Sequence, residues 1–410
     1  MSLLTQLVNL FFSQRRGEID FFMQHPARVQ QQQLERLLTQ AGGTVFGRDH
    51  GFGKIRTSEA YAAAVPVADY DSFSEYIGRT RTGEQNVLWP TEIKWFAKSS
   101  GTTSAKSKFI PVSDEGLSGC HLRGPMDVIC FFAGLYPKSG VFGGRTLTLG
   151  GSHRLESTGG RAQEGDLSAI LIENTPKWAS WRRTPRPETA LIPDFEEKVQ
   201  AICREAVPQR VTSFAGVPSW NLVLMNRVLE YTGKQNILEV WPEMELFVHG
   251  GMNFNPYREQ YRRIFPSDTM KYMETYNASE GFFAIQDDPS RDDMLLMLDY
   301  GVYYEFLPVS DLGDPSKAVP LEGVKQGVNY AMIISTSNGL WRYQIGDTVE
   351  FTSLAPYKIK ITGRTKHFIN AFGEELIIDN AETALQAACA ATGALVSDYT
   401  AGPIYMGDRS

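Results

Sequence analysis

The sequence lacks the residue patterns that mark metal-binding and disulfide-rich proteins. Only four cysteines occur among its 410 residues, and no two of them form a Cys-x-x-Cys pair. A zinc site is therefore not expected, and a reduced cytoplasmic setting is the simplest interpretation. The Gly-x-Ser-x-Gly motif of serine hydrolases, the His-Glu-x-x-His motif of metalloproteases and the Walker motif of P-loop NTPases are also absent. These absences argue against three common enzyme classes.

Basic surface charge and long apolar runs are missing as well. The formal net charge is −7 and the isoelectric point is about 5.5, which argues against binding to nucleic acid or to an anionic membrane. No run reaches the ~18 apolar residues of a membrane-spanning helix. The apolar segment 3–12 lacks the flanks of a signal peptide and indicates an amphipathic helix. We expect a cytoplasmic monomer without nucleic-acid or membrane partners.

What the sequence does contain is an alternation of strand-like and helix-like segments. Helices are predicted at 1–41, 114–135, 194–206 and 218–232. Strands are predicted at 93–97, 145–150, 245–251, 294–307, 330–336, 348–351 and 358–362. The alternation predicts an α/β fold with an antiparallel part near the end. Residues 152–190, which are rich in Gly, Arg, Pro and Ser, are expected to form long loops.

One hydroxyl-rich stretch follows the strand predicted at 93–97. Residues 98–108 read KSSGTTSAKSK, with Ser, Thr and Lys gathered around a single glycine. A flexible loop after a strand can turn its backbone N–H groups toward a phosphate, while hydroxyl and lysine side chains add donors and charge. The alternative is a solvated Ser/Thr linker without a binding role, and the loop alone does not decide between the two.

A second segment, 276–283, reads YNASEGFF and combines an aromatic ring with a carboxylate. The ring of Tyr276 suits stacking on a purine, and Glu280 suits holding Mg²⁺ against phosphate oxygens. The alternative is a helix N-terminus that is capped by Ser279 and has Glu280 in its first turn.

Two later turns carry charged residues of the kind that meet nucleotides. In 341–351, WRYQIGDTVEF, Asp347 follows a glycine and suits a bidentate grip on ribose hydroxyls; the alternative is a Gly-Asp hairpin turn. In 363–376, GRTKHFINAFGEEL, Arg364 suits a hinge that meets the nucleotide, and the alternative is a basic surface turn.

The order and spacing of these segments resemble those of the adenylate-forming enzymes. More closely, the chain resembles the bacterial branch of the auxin-responsive Gretchen Hagen family of acyl-acid–amido synthetases, within the superfamily of acyl-CoA synthetases and luciferases. The matching segments are 99–113, 216–220 (GVPSW), 246–257 (LFVHGGMNFNPY), 272–288 (YMETYNASEGFFAIQDD), 342–351 and 363–370 (GRTKHFIN). The resemblance covers the chain from about residue 45 to about residue 380.

The resemblance implies a luciferase-like α/β fold. It consists of a large N-terminal domain with mixed sheets flanked by helices and a small, mobile α+β C-terminal domain. On this basis we expect the large domain at 1–360, a hinge at 361–366 and only the start of the small domain at 367–410. The sequence departs from the family pattern here, because the small domain looks truncated, and this departure bears most on the amidation step.

The activity that the resemblance implies is the ATP-dependent joining of a carboxylic acid to an amine, commonly an amino acid. The acid and ATP form an acyl-adenylate and pyrophosphate, and the amine then displaces AMP. Positioning and charge stabilisation carry this chemistry, and no side-chain nucleophile is needed for the first step. ATP and Mg²⁺ are the implied cofactors, and a small carboxylic acid and an amine are the implied partners.

The same resemblance implies nucleotide-binding residues at matching positions. Those implied around the phosphates are Ser99, Ser100, Gly101, Thr102, Thr103 and Lys108. Those implied around the adenine and the α-phosphate are Gly250, Gly251, Met252, Tyr276, Asn277, Ala278, Ser279 and Glu280, the last of which is also the metal ligand. Asp347 would hold the ribose. The implied catalytic residues are Ser100, Thr102, Thr103, Lys108, Glu280 and Arg364.

An acyl pocket is implied at the helix after the phosphate loop and at 216–220. Its candidates are Leu122, Arg123, Met126, Asp127, Cys130, Val217 and Trp220. Plant members of the family that act on aromatic acids have an arginine in this helix, whereas this sequence has Asp127 there and Arg123 one turn earlier. Core packing is the alternative role for the apolar candidates, and no particular acid is assigned.

Two other functions remain open. An acyl-CoA or carrier-protein ligase of the same superfamily would use a thiol as its second nucleophile. A nucleotide-binding regulatory or scaffold protein would bind ATP or AMP without releasing pyrophosphate. The histidine that precedes the 250–252 turn, His249, is expected to have a structural hydrogen-bonding role.

Overall fold

The computed structural model describes residues 8, 10–99, 107–151, 156–157, 162–365, 368–371, 374–377, 384–385, 387–389, 391–394 and 396. Its α-helices are α1 (Ser13–Gln24), α2 (Pro26–Ala41), α3 (Val45–Asp49), α4 (Ser58–Ala64), α5 (Tyr70–Arg81), α6 (Asp114–Gly116), α7 (Arg123–Leu135), α8 (Leu167–Glu173), α9 (Lys177–Ser180), α10 (Pro187–Ala190), α11 (Phe195–Ala206), α12 (Pro218–Thr232) and α13 (Arg258–Ile264). Within these residues no helix combines the length and the apolarity that a membrane crossing requires.

The strands form a large sheet and two smaller ones in the described part of the chain. They are β1 (Trp95–Ser99), β2 (Lys108–Val112), β3 (Arg145–Thr148), β4 (Glu156–Ser157), β5 (Gln163–Gly165), β6 (Arg183–Thr184), β7 (Val211–Gly216), β8 (Leu246–Gly250), β9 (Lys271–Ala278), β10 (Gly281–Ile285), β11 (Met294–Leu296), β12 (Val302–Pro308), β13 (Val319–Pro320), β14 (Asn329–Thr336), β15 (Tyr343–Leu354), β16 (Tyr357–Arg364), β17 (Phe368–Ala371) and β18 (Glu374–Ile377). The large sheet has the order β13-β12-β14-β15-β16-β11-β10-β9-β8-β7-β3-β6, and the others have the orders β2-β1-β5-β4 and β17-β18.

The large sheet has a parallel part and an antiparallel part, and the two meet at β9. On one side, β9, β8, β7, β3 and β6 pair in parallel. On the other side, β9 turns back into β10 as a hairpin, and the pairings beyond it are antiparallel. This arrangement confirms the predicted α/β fold with an antiparallel part toward the end. Because ligands bind beyond the carboxyl ends of parallel strands, the ends of β8 and β9 are the natural place for a site.

The helices that flank the parallel strands begin and end on clear local signals. Helix α11 is capped by Asp194, whose carboxylate accepts a hydrogen bond from the N–H of Glu197 at 2.8 Å. Helix α12 begins at Pro218, where a missing N–H costs nothing, and ends before Gly233, whose φ of +67° is left-handed. These signals explain why both helices appear at the predicted positions.

Several predicted segments differ from the structure. The strand predicted at 294–307 is two strands, because Gly301 turns the chain at a φ of +72° between β11 and β12. The helix predicted at 114–135 is interrupted by a π-helical stretch, Leu117–His121. The loops predicted at 152–190 include α8, which forms because its Ala169 and Ile170 are buried in the core. The overall Gly and Pro content of that segment conceals this short apolar run.

The two turn alternatives for the carboxylate segments are also wrong. Ser279 and Glu280 do not start a helix; they form the loop of the β9–β10 hairpin, between the paired residues Ala278 and Gly281. Gly346 and Asp347 do not form a hairpin turn, because β15 continues through them. Its pairing with β14 skips from Gln344 to Thr348, so that Asp347 lies in a β-bulge. Bulges redirect side chains and occur frequently beside active sites.

Candidate functional site

A cavity of about 2280 Å³ lies against β9, where the parallel and antiparallel parts of the sheet meet. Its walls come from α5, the β1–β2 hairpin, the loop after β8, the start of α13, and strands β9, β15 and β16. Predicted site residues in these walls are Ser99, Lys108, Gly251, Met252, Tyr276, Asn277, Ala278, Ser279, Glu280, Asp347 and Arg364. The fold therefore brings together segments that are far apart in the sequence.

The hydroxyl-rich stretch is placed only at its two ends. The predicted residues Ser100, Gly101, Thr102 and Thr103 lie outside the described residues. Ser99, at the end of β1, pairs with Lys108, at the start of β2. The Nζ atom of Lys108 lies 5.8 Å from the ring centroid of Tyr70. Both ends of the stretch are at the cavity wall, and each carries a lysine, Lys98 at one end and Lys108 at the other.

Asp347 on β15 is held between two donors, one on the adjacent strand β16 and one on the more distant strand β9. The Nε–H of Arg364 donates to Asp347 Oδ1 at 2.8 Å, and the hydroxyl of Tyr276 donates to Oδ2 at 2.9 Å. Asp347 and Arg364 are also directly paired across β15 and β16. We call Asp347, Tyr276 and Arg364 the Asp347 clasp. A carboxylate has about four acceptor positions, so the clasp leaves about half of them open toward the cavity.

Glu280 is buried at the tip of the β9–β10 hairpin, 6% exposed. Burial raises the pKa of its carboxyl to about 7; Asp347 adds to this rise, whereas Lys108 and Arg364 oppose it. No cluster of three or more His, Cys, Asp or Glu suited to a metal occurs among the described residues. A cation at this point would therefore have Glu280 as its protein ligand and would take further oxygens from a bound molecule.

The turn after β8 requires its glycines for two different reasons. A side chain at Gly250 would place its Cβ 2.4 Å from the carbonyl oxygen of Thr275 on β9. Gly251 has a φ of +82°, in the left-handed region that glycine favours. Gly251 and Met252 line the cavity, and Gly250 lies directly beside it. The first glycine therefore lets β8 run close to β9, and the second lets the chain turn at the edge of the cavity.

Four cavity residues were not predicted from the sequence as a site. Glu274, Arg258 and Asp292 line the wall on the far side of Tyr276 from Glu280, and His249 lies with them. The expected hydrogen-bonding role of His249 is wrong: its Nδ1 is buried without a partner, and the ring stacks on Phe254 at 4.4 Å between centroids. The alternation along β9, in which 272, 274 and 276 share one face, is the sequence signal that points to Glu274.

The predicted acyl-pocket residues are not among those that line this cavity. Val217 comes nearest, since its Cγ2 would lie 3.4 Å from a Cβ built on Gly251. Trp220 is 54% exposed and meets the ring of Phe195 at 5.2 Å. Leu122 and Met126 pack against the core, in which Cys130 is buried.

The two charged acyl candidates belong to a separate group of buried ion pairs. Asp127 on α7 accepts from Arg15 Nε at 3.0 and 2.9 Å, from Arg15 Nη2 at 2.7 Å and from the Tyr300 hydroxyl at 2.6 Å. Arg123 donates to Asp299 at 3.1 Å. We call Arg15, Arg123, Asp127, Asp299 and Tyr300 the Arg15 cluster. It joins α1, α7 and the β11–β12 turn, and the Asp127 side chain, which is 2% exposed, is enclosed by its donors.

Comparison with protein families gives two matches along the chain. The model of the GH3 family N-terminal domain matches residues 15–197 and 161–270. The model of the GH3 family central domain matches residues 295–364. Together these regions include the hydroxyl-rich stretch, all seven predicted acyl candidates and the whole of β15 and β16.

Curated relatives and solved structures agree with these matches. The chain is 24% identical to jasmonoyl–L-amino acid synthetase JAR4 of Nicotiana attenuata, over 81% of this chain and 68% of the relative. It is 23% identical to the putative indole-3-acetic acid-amido synthetase GH3.10 of Oryza sativa subsp. japonica, over 78% of this chain and 74% of the relative. The structure is similar to that of GH3.15 acyl acid amido synthetase, with a TM-score of 0.74, 17% identity, and coverage of 91% and 75% of the two chains.

A more distant structural match is the open conformation of 2-hydroxyisobutyryl-CoA ligase in complex with 2-HIB-AMP and CoA. The TM-score is 0.56 at 14% identity, with 87% of this chain and 79% of the other covered. The similarity shows that the two proteins share a fold, and the fold is therefore that of the adenylate-forming ligases, as predicted.

Proposed function

We propose a function from one premise, which is that this chain belongs to the GH3 family. On that premise the protein is an acyl-acid–amido synthetase, a ligase that activates a carboxylic acid with ATP and then joins it to an amine. Relatives named jasmonoyl–L-amino acid synthetase and indole-3-acetic acid-amido synthetase support a small carboxylic acid and an amino acid as the substrate classes.

The observation that carries the proposal is the Asp347 clasp at the cavity wall. Arg364 and Tyr276 hold the carboxylate in one orientation and leave two acceptor positions open, which matches the two vicinal hydroxyls of a ribose. We assign the purine ring to the region of Tyr276 and the Gly250–Gly251 turn, which the pairing of β8 with β9 brings near each other. A nucleotide bound here would direct its phosphates toward the β9–β10 hairpin.

Two displacement steps then complete the reaction. The carboxylate oxygen of the acid attacks the α-phosphorus of ATP, the α–β phosphoanhydride bond breaks, and pyrophosphate leaves with its electron pair. The amine nitrogen next attacks the acyl carbon, loses a proton, and AMP leaves. Neither step uses a protein nucleophile, so the protein contributes alignment and stabilisation of negative charge.

Charge stabilisation is proposed for described residues near the hairpin tip and for the hydroxyl-rich stretch. Lys108 supports the oxygens of the leaving pyrophosphate, and the hydroxyls of 99–103 add donors around the phosphates. The positive charge of Arg364 lies close enough to Glu280 to lower the pKa of that carboxyl. We propose that the same charge stabilises the α-phosphate, which would lie beside Glu280. Ser279 is placed in the same loop as Glu280 and adds a hydroxyl there.

Magnesium fits a site made of the Glu280 carboxylate and the phosphate oxygens of a bound nucleotide. Mg²⁺ is commonly bound through one or two carboxylates together with substrate phosphates, and Glu280 is a single buried carboxyl at the phosphate end of the cavity. Bound there, Mg²⁺ would neutralise phosphate charge and orient the triphosphate. Glu280 is therefore proposed as the protein ligand of the cation.

The test is magnesium-dependent release of pyrophosphate from ATP, with a panel of aromatic, indolic and fatty acids and no amine. Release with one class of acid supports adenylation and identifies the class; addition of amino acids should then give an amide, detectable by mass spectrometry. ATP or AMP binding without pyrophosphate release from any acid would favour a nucleotide-binding protein without catalysis and contradict the proposal.

A second function, acyl-CoA or carrier-protein ligase, is favoured by the structural likeness to 2-hydroxyisobutyryl-CoA ligase. The adenylation step would be the same, but a thiol would replace the amine. The same assay with coenzyme A or a carrier thiol in place of the amino acid separates the two functions by product, since one gives a thioester and the other an amide.

A further inference from the structure

Strand β2 is an outer strand of the small sheet that has the order β2-β1-β5-β4. One side of β2 pairs with β1, and in the described part of the chain no strand pairs with its other side. The strand begins at Lys108, the last residue of the hydroxyl-rich stretch. The backbone N–H groups on the open side of an edge strand need other partners. Whatever supplies those partners also holds Lys108 in place.

Tyr70, the first residue of α5, contacts β2 on this open side. Its hydroxyl oxygen accepts a hydrogen bond from the backbone N–H of Phe109 at 2.9 Å. Its ring centroid lies 5.8 Å from the Nζ atom of Lys108. One tyrosine therefore contacts both the backbone that follows the lysine and the lysine side chain itself.

Arg81, the last residue of α5, covers the side chain of Phe109. Its guanidinium carbon lies 3.7 Å from the centroid of the Phe109 ring, within the range of a cation–π contact. Its Nε–H also donates to Glu164 Oε1 on β5 at 2.6 Å. Because β5 pairs with β1, Arg81 connects the outer strand β2 to the interior of the small sheet. We call Tyr70, Arg81 and Phe109 the Phe109 clamp.

The chain just before α5 is tied to β15, the strand that carries Asp347. The N–H of Ala68 donates to the carbonyl of Arg342 at 3.1 Å, and the N–H of Gln344 donates to the carbonyl of Ala68 at 2.9 Å. Helix α5 thus connects the strand of the Asp347 clasp with the strand that begins at Lys108, and both strands contribute to the cavity wall. The helix sets the separation of the two groups.

We propose that Tyr70 and Arg81 are positioning residues that hold Lys108 toward the β- and γ-phosphates of a bound nucleotide. This inference rests on the proposed function, because it needs a nucleoside triphosphate with its ribose at the Asp347 clasp. A cation that is fixed before the reaction stabilises the charge of a leaving pyrophosphate without a cost of reorganisation. A cation on an edge strand without the clamp would be present but poorly placed.

The Phe109 clamp should affect ATP and not AMP. AMP has no β- or γ-phosphate, so it lacks the groups that Lys108 is proposed to contact. A displaced Lys108 should weaken ATP binding and slow pyrophosphate release, while AMP binding stays the same. The ratio of the two dissociation constants, which we call the ATP preference, therefore reports the position of Lys108, because effects common to both nucleotides cancel.

The experiment measures the dissociation constants of ATP and AMP by calorimetry, with Mg²⁺ and without acid or amine, so that no reaction occurs. Lys108→Met removes the cation and should reduce the ATP preference about 30-fold. Tyr70→Phe removes only the acceptor for the Phe109 N–H and should reduce the ATP preference about 5-fold. The kcat for pyrophosphate release in the presence of an acid should fall in parallel.

A double variant separates positioning from an independent effect. If Tyr70 acts through Lys108, adding Tyr70→Phe to Lys108→Met should change the ATP preference by less than ~2-fold, whereas independent effects would multiply. Phe109→Leu tests the other contact of the clamp, since it removes the ring and keeps both the backbone N–H and the charge of Arg81. It should reduce the ATP preference about 3-fold, and only while Lys108 is present.

Tyr330→Phe is the matched control. The Tyr330 hydroxyl accepts a hydrogen bond from the backbone N–H of Lys325 at 2.9 Å, as Tyr70 does from Phe109, but Tyr330 is not among the residues that line the cavity. Tyr330→Phe and Tyr70→Phe should each lower the melting temperature by at most ~3 °C. Only Tyr70→Phe should change the ATP preference.

The outcomes separate the inference from the proposed function. A wild-type ATP preference in Tyr70→Phe or in Lys108→Met overturns the inference, as do multiplying effects in the double variant or an equal change in Tyr330→Phe. In each of these cases, binding of ATP and AMP by the wild-type protein leaves the proposed function intact. Absence of binding of both nucleotides to the wild-type protein contradicts the proposed function, and the inference fails with it.

Discussion

Two groups of charged residues, the Arg15 cluster and the Asp347 clasp, are built from the same side-chain types and differ in how completely they are paired. Asp127 in the first accepts from three donor groups: the Nε–H of Arg15, which both carboxylate oxygens share, the Nη2–H of Arg15 and the Tyr300 hydroxyl. Asp347 in the second accepts two, one from Arg364 and one from Tyr276, and faces a cavity. The first carboxylate is enclosed, with a side chain that is 2% exposed, whereas the second lies at a cavity wall with acceptor positions open.

The difference separates a structural role from a binding role. A carboxylate that is buried among its donors is closed to a ligand, whatever its position in a family pattern suggests. A carboxylate that is oriented by two donors but only half saturated is prepared to take two more hydrogen bonds. On this basis Asp127 holds α7 against α1, and Asp347 is the stronger site residue.

Asp347→Asn is expected to have the largest effect, because it changes the carboxylate at the centre of the Asp347 clasp. The amide loses the charge and replaces one acceptor oxygen by a donor, which removes about two charge-assisted hydrogen bonds to the ribose, ~1.5–3 kcal/mol each. We expect kcat/KM for ATP to fall by ~100-fold or more in the pyrophosphate-release assay. An unchanged KM for ATP would remove Asp347 from the site.

Arg15→Met tests the other side of the comparison. It leaves Asp127, whose side chain is 2% exposed, buried without its cation, so the free energy of unfolding should fall by about 3 kcal/mol in urea. Arg123→Met is the matched control, because its side chain is 31% exposed and it should cost at most ~1 kcal/mol. The KM for ATP should not change in either variant; equal stability losses would contradict the assigned difference.

Tyr276→Phe sharpens the comparison by removing one donor from the clasp. The aromatic ring remains, and only the hydrogen bond to Asp347 is lost, which is worth ~1 kcal/mol. We expect kcat/KM for ATP to fall about 5-fold at constant protein stability. A loss as large as that of Asp347→Asn would mean that the tyrosine hydroxyl itself contacts the nucleotide.

Trp220→Ala is expected to have the smallest effect on stability and on ATP use, because Trp220 belongs neither to the Arg15 cluster nor to the Asp347 clasp. Its side chain is 54% exposed, so truncation should change the free energy of unfolding by only ~0.5 kcal/mol and leave the KM for ATP unchanged. A rise in the KM for the acid alone would assign Trp220 to the acyl pocket.

The order of strands and helices could largely be predicted from the sequence because local signals and tertiary structure agree. Helix α12 has its proline at the start and its glycine after the end, and both are visible in the sequence. The split between β11 and β12 could not be predicted, since an apolar run continues across the turn and only the φ of Gly301 reveals it. Helix α8 forms because Ala169 and Ile170 are buried in the core, and the amino-acid composition of the segment does not reveal that burial.

The site could be predicted less completely. Tyr276, Glu280, Asp347 and Arg364 were predicted because they lie in distinctive segments, and the structure places all four at one cavity. The pairing of Asp127 with Arg15 could not be predicted, because 112 residues separate them in the chain. Glu274 and His249 were missed as a pair for the same reason: their adjacency exists only through the register of β8 and β9.

That register has a consequence for how the protein can change in evolution. Along β9, the residues that face the cavity and those that face the core alternate, so one inserted or deleted residue would exchange Glu274 for Met273 or Thr275 at the cavity wall. Length variation among natural homologues should therefore be excluded from the span between the start of β9 and the β9–β10 hairpin. Drift in length should be tolerated at the surface loops beyond the strand, where an extra residue moves no side chain across the sheet.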